Sequence, residues 1–401
     1  MTESSEADGR KNAADRPTAP LLWLLQGKTA GDNAQVLALG DSLAEAGTWQ
    51  TEVKRIAPAL RDAAKRRRPA LPGISAFAAS GMPPPWPDLV IACGSSPCIV
   101  AQWVKQLSGG RAVHVQIGRL GTRTEPIDLI LETAQYGVAA TPNMLSLTLP
   151  IVRRDAQRQA EAIRAWLPQL ADLPRPWLGV LIGGPASPIH FEAEDGSRLL
   201  RRVIELRREF GGSALIAYGP RTPNAVREIL ELGLKNPAES GAGDSAHRVF
   251  EWPPADPNPY PALLAIADRF LVTCDSASMI ADACVTGKPV EIFMLKIPEY
   301  LTRLSSRGLG LSIDARRRRR FRAGLAPDAL DRWRDRLVTR RLLTPYRDMR
   351  DLLHVLEKAG IVGRLDDAVE GGGKALQERE LAMVKQRIIG LIEAKRTGAA
   401  R

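Results

Sequence analysis

The chain has 401 residues, 44% of them apolar and 25% charged, enough for two domains with cores of their own, which excludes a disulfide-stapled miniature and a disordered chain. The formal charge of +11 sits at one end: residues 301–401 hold 24 basic and 13 acidic side chains, while the first 300 residues hold 32 of each sign. A neutral body with 5% aromatic residues lacks the basic, base-stacking face of a nucleic-acid binder, so no nucleic acid is expected as a partner.

Met1 to Pro20 reads as a disordered polar leader without the basic and apolar blocks of a signal peptide. Leu21 to Leu25 (LLWLL) has the character of a buried strand, ended by the turn Gly27-Lys28-Thr29-Ala30-Gly31-Asp32, and Ala34 to Ala46 that of a helix. Strand, glycine-bearing turn and helix open a parallel α/β sheet. The unit recurs, with strands predicted at Asp88 to Cys93, Ala112 to Ile117 and Ile127 to Leu131, the last running on to a loop at Pro142-Asn143. Met82 to Pro87 (MPPPWP) is a rigid connector. Ile151 to Leu167 reads as a charged helix and the proline-punctuated Leu167 to Trp177 as an interdomain linker.

The alternation then restarts, with strands at Trp177 to Ile182, Ala214 to Tyr218, Val249 to Trp252, Arg269 to Thr273 and Val290 to Met294. Helices are predicted at Ser197 to Phe210, Tyr260 to Ala267 and Met279 to Thr286. This gives an α/β chain of two Rossmann-like domains, at 21–167 and 177–308, with a basic helical tail over 309–401. The tail holds the run Arg316 to Arg320, amphipathic sequence around Trp333, a flexible Gly371-Gly372-Gly373 and a final helix, Leu376 to Ala394. Two readings of it stay open: solvated helical faces with a helix packed back on the body, or contact with an anionic membrane. No run approaches the length of a membrane span, so the chain is expected in the cytoplasm, with a peripheral contact on the inner membrane face as the second reading.

Cys93, Cys98, Cys274 and Cys284 form no C-x-x-C pair and His114, His190, His247 and His354 are scattered, so the thiols read as small buried hydrophobes and no metal site is expected. Gly27-Lys28-Thr29 is not a phosphate loop, because the required upstream glycine is Leu22. Asp32, ending that turn, has two readings, helix cap and general base. Gly183-Gly184, after the first strand of the second half, marks a close approach at the strand edge where ligands of open sheets bind. Arg221, in the loop after Tyr218, is placed to clamp a diphosphate. The block from Thr273 to Val290 is the most informative. Asp275, Ser276, Ser278 and Met279 stand at a helix start whose amides and hydroxyls suit phosphate oxygens, and Asp282 follows one turn on, as an acid for ribose hydroxyls.

That block, preceded by Tyr260 to Asp268 (YPALLAIAD), resembles the donor-nucleotide region of GT-B glycosyltransferases. The chain more closely resembles the mitochondrial-fission "elongated mitochondria" family, whose bacterial members are regarded as glycosyltransferases. The matching stretches are Trp23 to Leu43, Pro87 to Gly118, Asn143, Leu181 to Gly184, Arg221-Thr222-Pro223 and Thr273 to Val290. The resemblance implies two Rossmann-like domains around a cleft, a nucleotide-sugar held by the second, and a lipid or saccharide acceptor on the first. It also leaves two alternatives: a non-enzymatic recruitment protein of the fission type, or a sugar-nucleotide epimerase. Many members carry a His-Asp pair after the strand that here ends at Leu131, where this chain has Gln135-Tyr136. The D-x-D motif of metal-dependent transferases is absent from the sequence, so the expected device is metal-free: helix amides and cations hold the diphosphate, and Asp32 is the base.

Overall fold

A computed structural model describes residues 19–47, 49–65, 74–118, 120, 124–153, 155–186, 189–235, 246–296, 309–340, 342–365 and 372–398. Most of the expected leader lies outside the described residues. The first half carries β1 (Leu21–Gln26), α1 (Ala30–Ala46), β2 (Gln50–Arg55), α2 (Pro58–Lys65), α3 (Ile74–Ala79), β3 (Leu89–Cys93), α4 (Ser95–Leu107), β4 (Val113–Ile117), β5 (Leu129–Thr133) and β6 (Met144–Leu147). All six strands are parallel, in the order β2-β1-β3-β4-β5-β6. The second half carries α5 (Ala156–Trp166), β7 (Trp177–Ile182), α6 (Ala193–Phe210), β8 (Ser213–Tyr218), α7 (Asn224–Lys235), β9 (His247–Phe250), α8 (Tyr260–Ile266), β10 (Arg269–Thr273), α9 (Ala277–Cys284) and β11 (Val290–Phe293). Its five parallel strands run β11-β10-β7-β8-β9.

Both orders are doubly wound. The first reverses direction between β1 and β3 and the second between β7 and β10, and such switch points open a crevice beyond the carboxyl ends of the strands. The central strands are apolar because helices cover both faces: β3 (LVIAC), β4 (VHVQI) and β7 (WLGVLI) are buried throughout. The architecture is two Rossmann-like domains facing a cleft, the GT-B-like plan implied by the resemblance.

The chain crosses between the lobes earlier than the prolines suggest. Leu149, Val152 and Trp166 pack into the core of the second lobe, and the Trp166 indole donates to the Pro257 carbonyl at 2.8 Å. The crossing therefore precedes α5, ahead of the expected linker at Leu167 to Trp177.

After residue 309 come α10 (Leu309–Arg322), α11 (Ala329–Thr339), α12 (Met349–Lys358) and α13 (Gly373–Arg396). Met349, Leu352, Leu353 and Leu356 of α12 enter the core of the second lobe. Val384, Ile388 and Ile392 of α13 enter that of the first, where Glu380 accepts from the Thr148 amide at 2.8 Å and Lys395 pairs with Asp128 at 3.1 Å. The C-terminal segment thus binds the two lobes together. Gly373 is not a flexible tether, because it starts α13 and a Cβ there would collide with the Cys284 carbonyl.

Candidate functional site

The switch points of the two sheets open onto one cleft of 1590 Å³, lined by nine basic and five acidic side chains. That excess favours an anionic occupant. Of the nine residues singled out in the sequence, eight line it: Asp32, Gly183, Arg221, Asp275, Ser276, Ser278, Met279 and Asp282. Gly184 does not.

From the first lobe comes the turn between β1 and α1. Thr29 is the N-cap of α1, without a side-chain cap bond, and Asp32 is the third helical residue. Asp32 is therefore not the cap, although its carboxylate still meets the positive end of the helix dipole. Gly94, at φ 87°, clears room for it, since a Cβ there would stand 3.0 Å from Asp32 Oδ2. The Cys93 thiol hydrogen-bonds to Asp32, and burial, then the Asp32 charge, push that thiol well above its ordinary pKa. Cys93 is thus a neutral donor beside Asp32. Tyr136 lies in the short 3-10 turn Ala134–Tyr136 after β5 and also lines the cleft. Burial pushes its phenol up to about 12, with Arg347 pulling the other way.

From the second lobe comes the start of α9. Ser276 is its N-cap and accepts from the Met279 amide at 3.4 Å, with the Ser278 hydroxyl 3.3 Å from that of Ser276. The first amides of any helix lack intrahelical acceptors, so this end offers donors to an anion. The lobes meet closely here: a Cβ on Gly31 would lie 3.6 Å from Ser278 Oγ. Asp282, farther along α9, accepts the Tyr260 hydroxyl at 3.0 Å. Burial pushes the Asp282 carboxyl up to about 6, against the opposing effect of the Tyr260 hydrogen bond.

The glycine pair has a different physical reason from the one its position suggested. A Cβ on Gly183 would collide with the Asp275 carboxylate, and one on Gly184 with the Arg221 backbone. The amide of Gly184 donates to Asp275 Oδ2 at 2.8 Å, that of Gly183 to Thr273 Oγ1 at 2.9 Å, and the Thr222 hydroxyl donates to the Gly183 carbonyl at 2.6 Å. Asp275 is fully buried, so it fastens the ends of β7 and β10 together. The same stitching fixes the turn that carries Arg221, an exposed residue whose charge acts on the Asp275 carboxylate.

Three lining residues escaped sequence reasoning. Cys93 was read as a bland core thiol, and Tyr260 lies 22 residues from the carboxylate it holds. Arg347, between α11 and α12, lines the cleft and donates to the Asp275 carbonyl at 3.3 Å, while the next amide, Asp348, donates to the Gln135 carbonyl at 2.8 Å. Its backbone is thus tied to one lobe and its side chain to the other. No local pattern announces such a residue.

Four of the five arginines in the run are held in ion pairs, while Arg319 is exposed. Arg316 pairs with Asp328 and Asp331, Arg317 with Asp335, Arg318 with Asp314 and Asp351, and Arg320 with Asp331. Arg318 and Asp314 are almost fully buried. Among the described residues no helix is long and apolar enough to cross a membrane.

Residues 30–325 match the family described as Mitochondrial fission ELM1. The chain belongs to that family. A curated relative, the Mitochondrial fission protein ELM1 of Arabidopsis thaliana, is 29% identical over 252 residues, which cover 56% of each chain. The chain therefore spans about half the length of that relative. Similar solved structures include an S. aureus MnaA-UDP co-structure, with 12% identity, TM-score 0.42 and coverage of 91% of this chain and 96% of the other. The catalytic domain of Starch Synthase IV from Arabidopsis thaliana, bound to ADP and acarbose, has 10% identity, TM-score 0.44 and coverage of 94% and 99%. Medicago truncatula UGT71G1 complexed with UDP-glucose has 10% identity, TM-score 0.42 and coverage of 94% and 98%. The ELM1 match ends at residue 325, so α11, α12 and α13 lie beyond it, although α12 carries core side chains of the second lobe. Within the ELM1 span, Gln135-Tyr136 lies in the short 3-10 turn after β5.

Proposed function

We propose that this cleft binds a nucleotide-sugar and transfers its sugar to a lipid or saccharide acceptor, without a metal ion. The observation that carries the reading is the start of α9 at the β7/β10 switch point, facing Asp32 across the cleft. The diphosphate meets the α9 amides and the hydroxyls of Ser276 and Ser278, with Arg221 and Arg347 as cations that neutralise charge on the departing group. Asp282, with one oxygen held by Tyr260, turns toward the ribose. Asp32 takes the acceptor proton as the new glycosidic bond forms and the bond from the anomeric carbon to the phosphate oxygen breaks, its electron pair leaving on the nucleoside diphosphate, whose added charge the proton on Asp32 balances.

A thermal-shift panel of nucleoside diphosphates and their sugars tests this reading. One nucleotide should stabilise the protein, by about 2.7 kcal/mol at a hundredfold excess over its Kd. No shift across the panel would overturn the reading in favour of a recruitment protein. Release of an epimerised nucleotide-sugar without acceptor would replace transfer by epimerisation.

A further inference from the structure

With four arginines of the run paired internally, the α10–α11 hairpin shows another surface. We infer that its outer face is an interfacial binding surface for a bilayer containing anionic phospholipid. In α11, Asp331, Arg334 and Val338 are buried, and the opposite face exposes Arg332, Trp333 and Arg336, with Arg340 exposed at the C-cap. The three exposed arginines stand four residues apart, a stripe along one side of a helix. Exposed large apolar side chains accompany them on α11 and in the turn before it, Leu325 at 51%, Leu330 at 41% and Trp333 at 44%, while the half-exposed Phe321 packs edge-on against His354 of α12.

Charge segregation argues for the lipid. Asp314 and Asp331 are buried, Asp335 is held by Arg317 and Arg334, and Asp328 by Arg316 and Arg320. The outer face therefore presents cations and apolar groups while its carboxylates are neutralised by internal pairs. Arginine and tryptophan together suit the headgroup level, where guanidinium meets phosphate and the apolar bodies sink below it. The hairpin is also rooted beside the cleft. Arg318 donates to the carbonyls of Gln135 and Tyr346, which flank the turn carrying Tyr136 and the loop carrying Arg347. A docked hairpin would bring the first-lobe side of the cleft to the membrane surface. The inference does not depend on the donor reading, because lipid binding is measured without nucleotide.

The test is co-sedimentation of the full chain with vesicles of phosphatidylcholine alone and of phosphatidylcholine with one third phosphatidylglycerol. Binding is expected only to the anionic vesicles and should weaken as salt rises. Arg332→Glu/Arg336→Glu should lower the partition coefficient by roughly a hundredfold or more, and Trp333→Ser by roughly tenfold. A charge-matched control on the second lobe, Arg201→Glu/Lys235→Glu, should bind like the parent. All these positions are exposed, and unchanged thermal melts would show that the variants fold. A parent chain that stays in the supernatant with both vesicles overturns the inference and leaves an acidic protein as the hairpin's partner. Hairpin variants that bind as tightly as the parent, or a control that loses as much, overturn it as well.

Discussion

The β1–α1 turn of the first lobe and the β10–α9 turn of the second are the same device, a strand ending at a switch point and a helix starting over the cleft, yet they carry opposite chemistry. The α9 start has a serine N-cap, a second hydroxyl two residues on and no acid in its first turn. The α1 start has Asp32 in its first turn and no side-chain cap bond. Two helix dipoles of the same sign therefore face one space, and only α9 leaves its positive end free for a ligand. The carboxylate neutralises the other and would repel a diphosphate there. In the proposed reading, this asymmetry places the phosphates on the second lobe and proton abstraction on the first.

The sharpest way to break the comparison is Asp32→Asn. If the first-lobe helix start supplies the base, turnover should fall about 10²- to 10⁴-fold while the nucleotide Kd, read by calorimetry, stays within twofold. Weaker nucleotide binding at undiminished turnover would reverse the assignment of the two lobes. A second large effect concerns how the first-lobe turn is held. Arg318 is buried between Asp314 and Asp351, so Arg318→Met takes one of two arginine partners from each buried carboxylate, Asp314 keeping Arg334 and Asp351 keeping Arg322, and should cost about 3 kcal/mol in urea unfolding. Arg332→Met, on the exposed face of α11, should stay within about 0.5 kcal/mol of the parent. Equal costs at both positions would show that the buried network does not support the turn.

How much of this was legible in the sequence follows burial. β1, β3, β4, β5 and β7 could be read because a strand covered on both faces is an unbroken apolar run. β2 (QTEVKR) was missed because it is an edge strand with four exposed residues, and β6, four residues at the other edge, was missed with it. The pairing of serines with an acid on α9 was legible because all its parts lie within one helix. Gly183 was correctly read as a close approach, but the neighbour is Asp275 rather than a ligand, and sequence distance hides which chain segment arrives. Arg347 was unreadable for the same reason: its place depends on the route from α11 to α12, set by a backbone bond to Gln135. The arginine run misled because its aspartate partners are dispersed over residues 314–351.

Arg221 and Arg347 sharpen the second-lobe half of the comparison. Each is expected to add a charge-assisted bond to the diphosphate, so Arg221→Met and Arg347→Met should each weaken nucleotide binding about tenfold. Their salt dependence separates charge from packing. If both act through charge, the two variants lose the parent's sensitivity to ionic strength, whereas a loss of affinity independent of salt would make Arg347 a positioning residue acting through the Asp275 carbonyl.

The smallest effect falls on Asp282, whose two properties pull against each other. Its folded pKa of about 6 lies above the ordinary value of 3.8, so between those values the folded chain binds more protons than the unfolded one. Stability therefore rises as the pH falls through that window, and the charged carboxylate is a cost above it. From pH 8 to pH 5 the parent should gain about 1 kcal/mol from this group, and Asp282→Asn should remove that gain while leaving the variant at least as stable as the parent at pH 8. The same substitution should weaken nucleotide binding a few-fold, because the ionised oxygen not held by Tyr260 is the better acceptor for ribose hydroxyls. Urea titrations at both pH values, with nucleotide calorimetry at pH 8, test this. A cost kept only for folding would disappear in Asp282→Asn with affinity unchanged, and Asp282 would then belong to the packing of α8 against α9 instead of to the ligand.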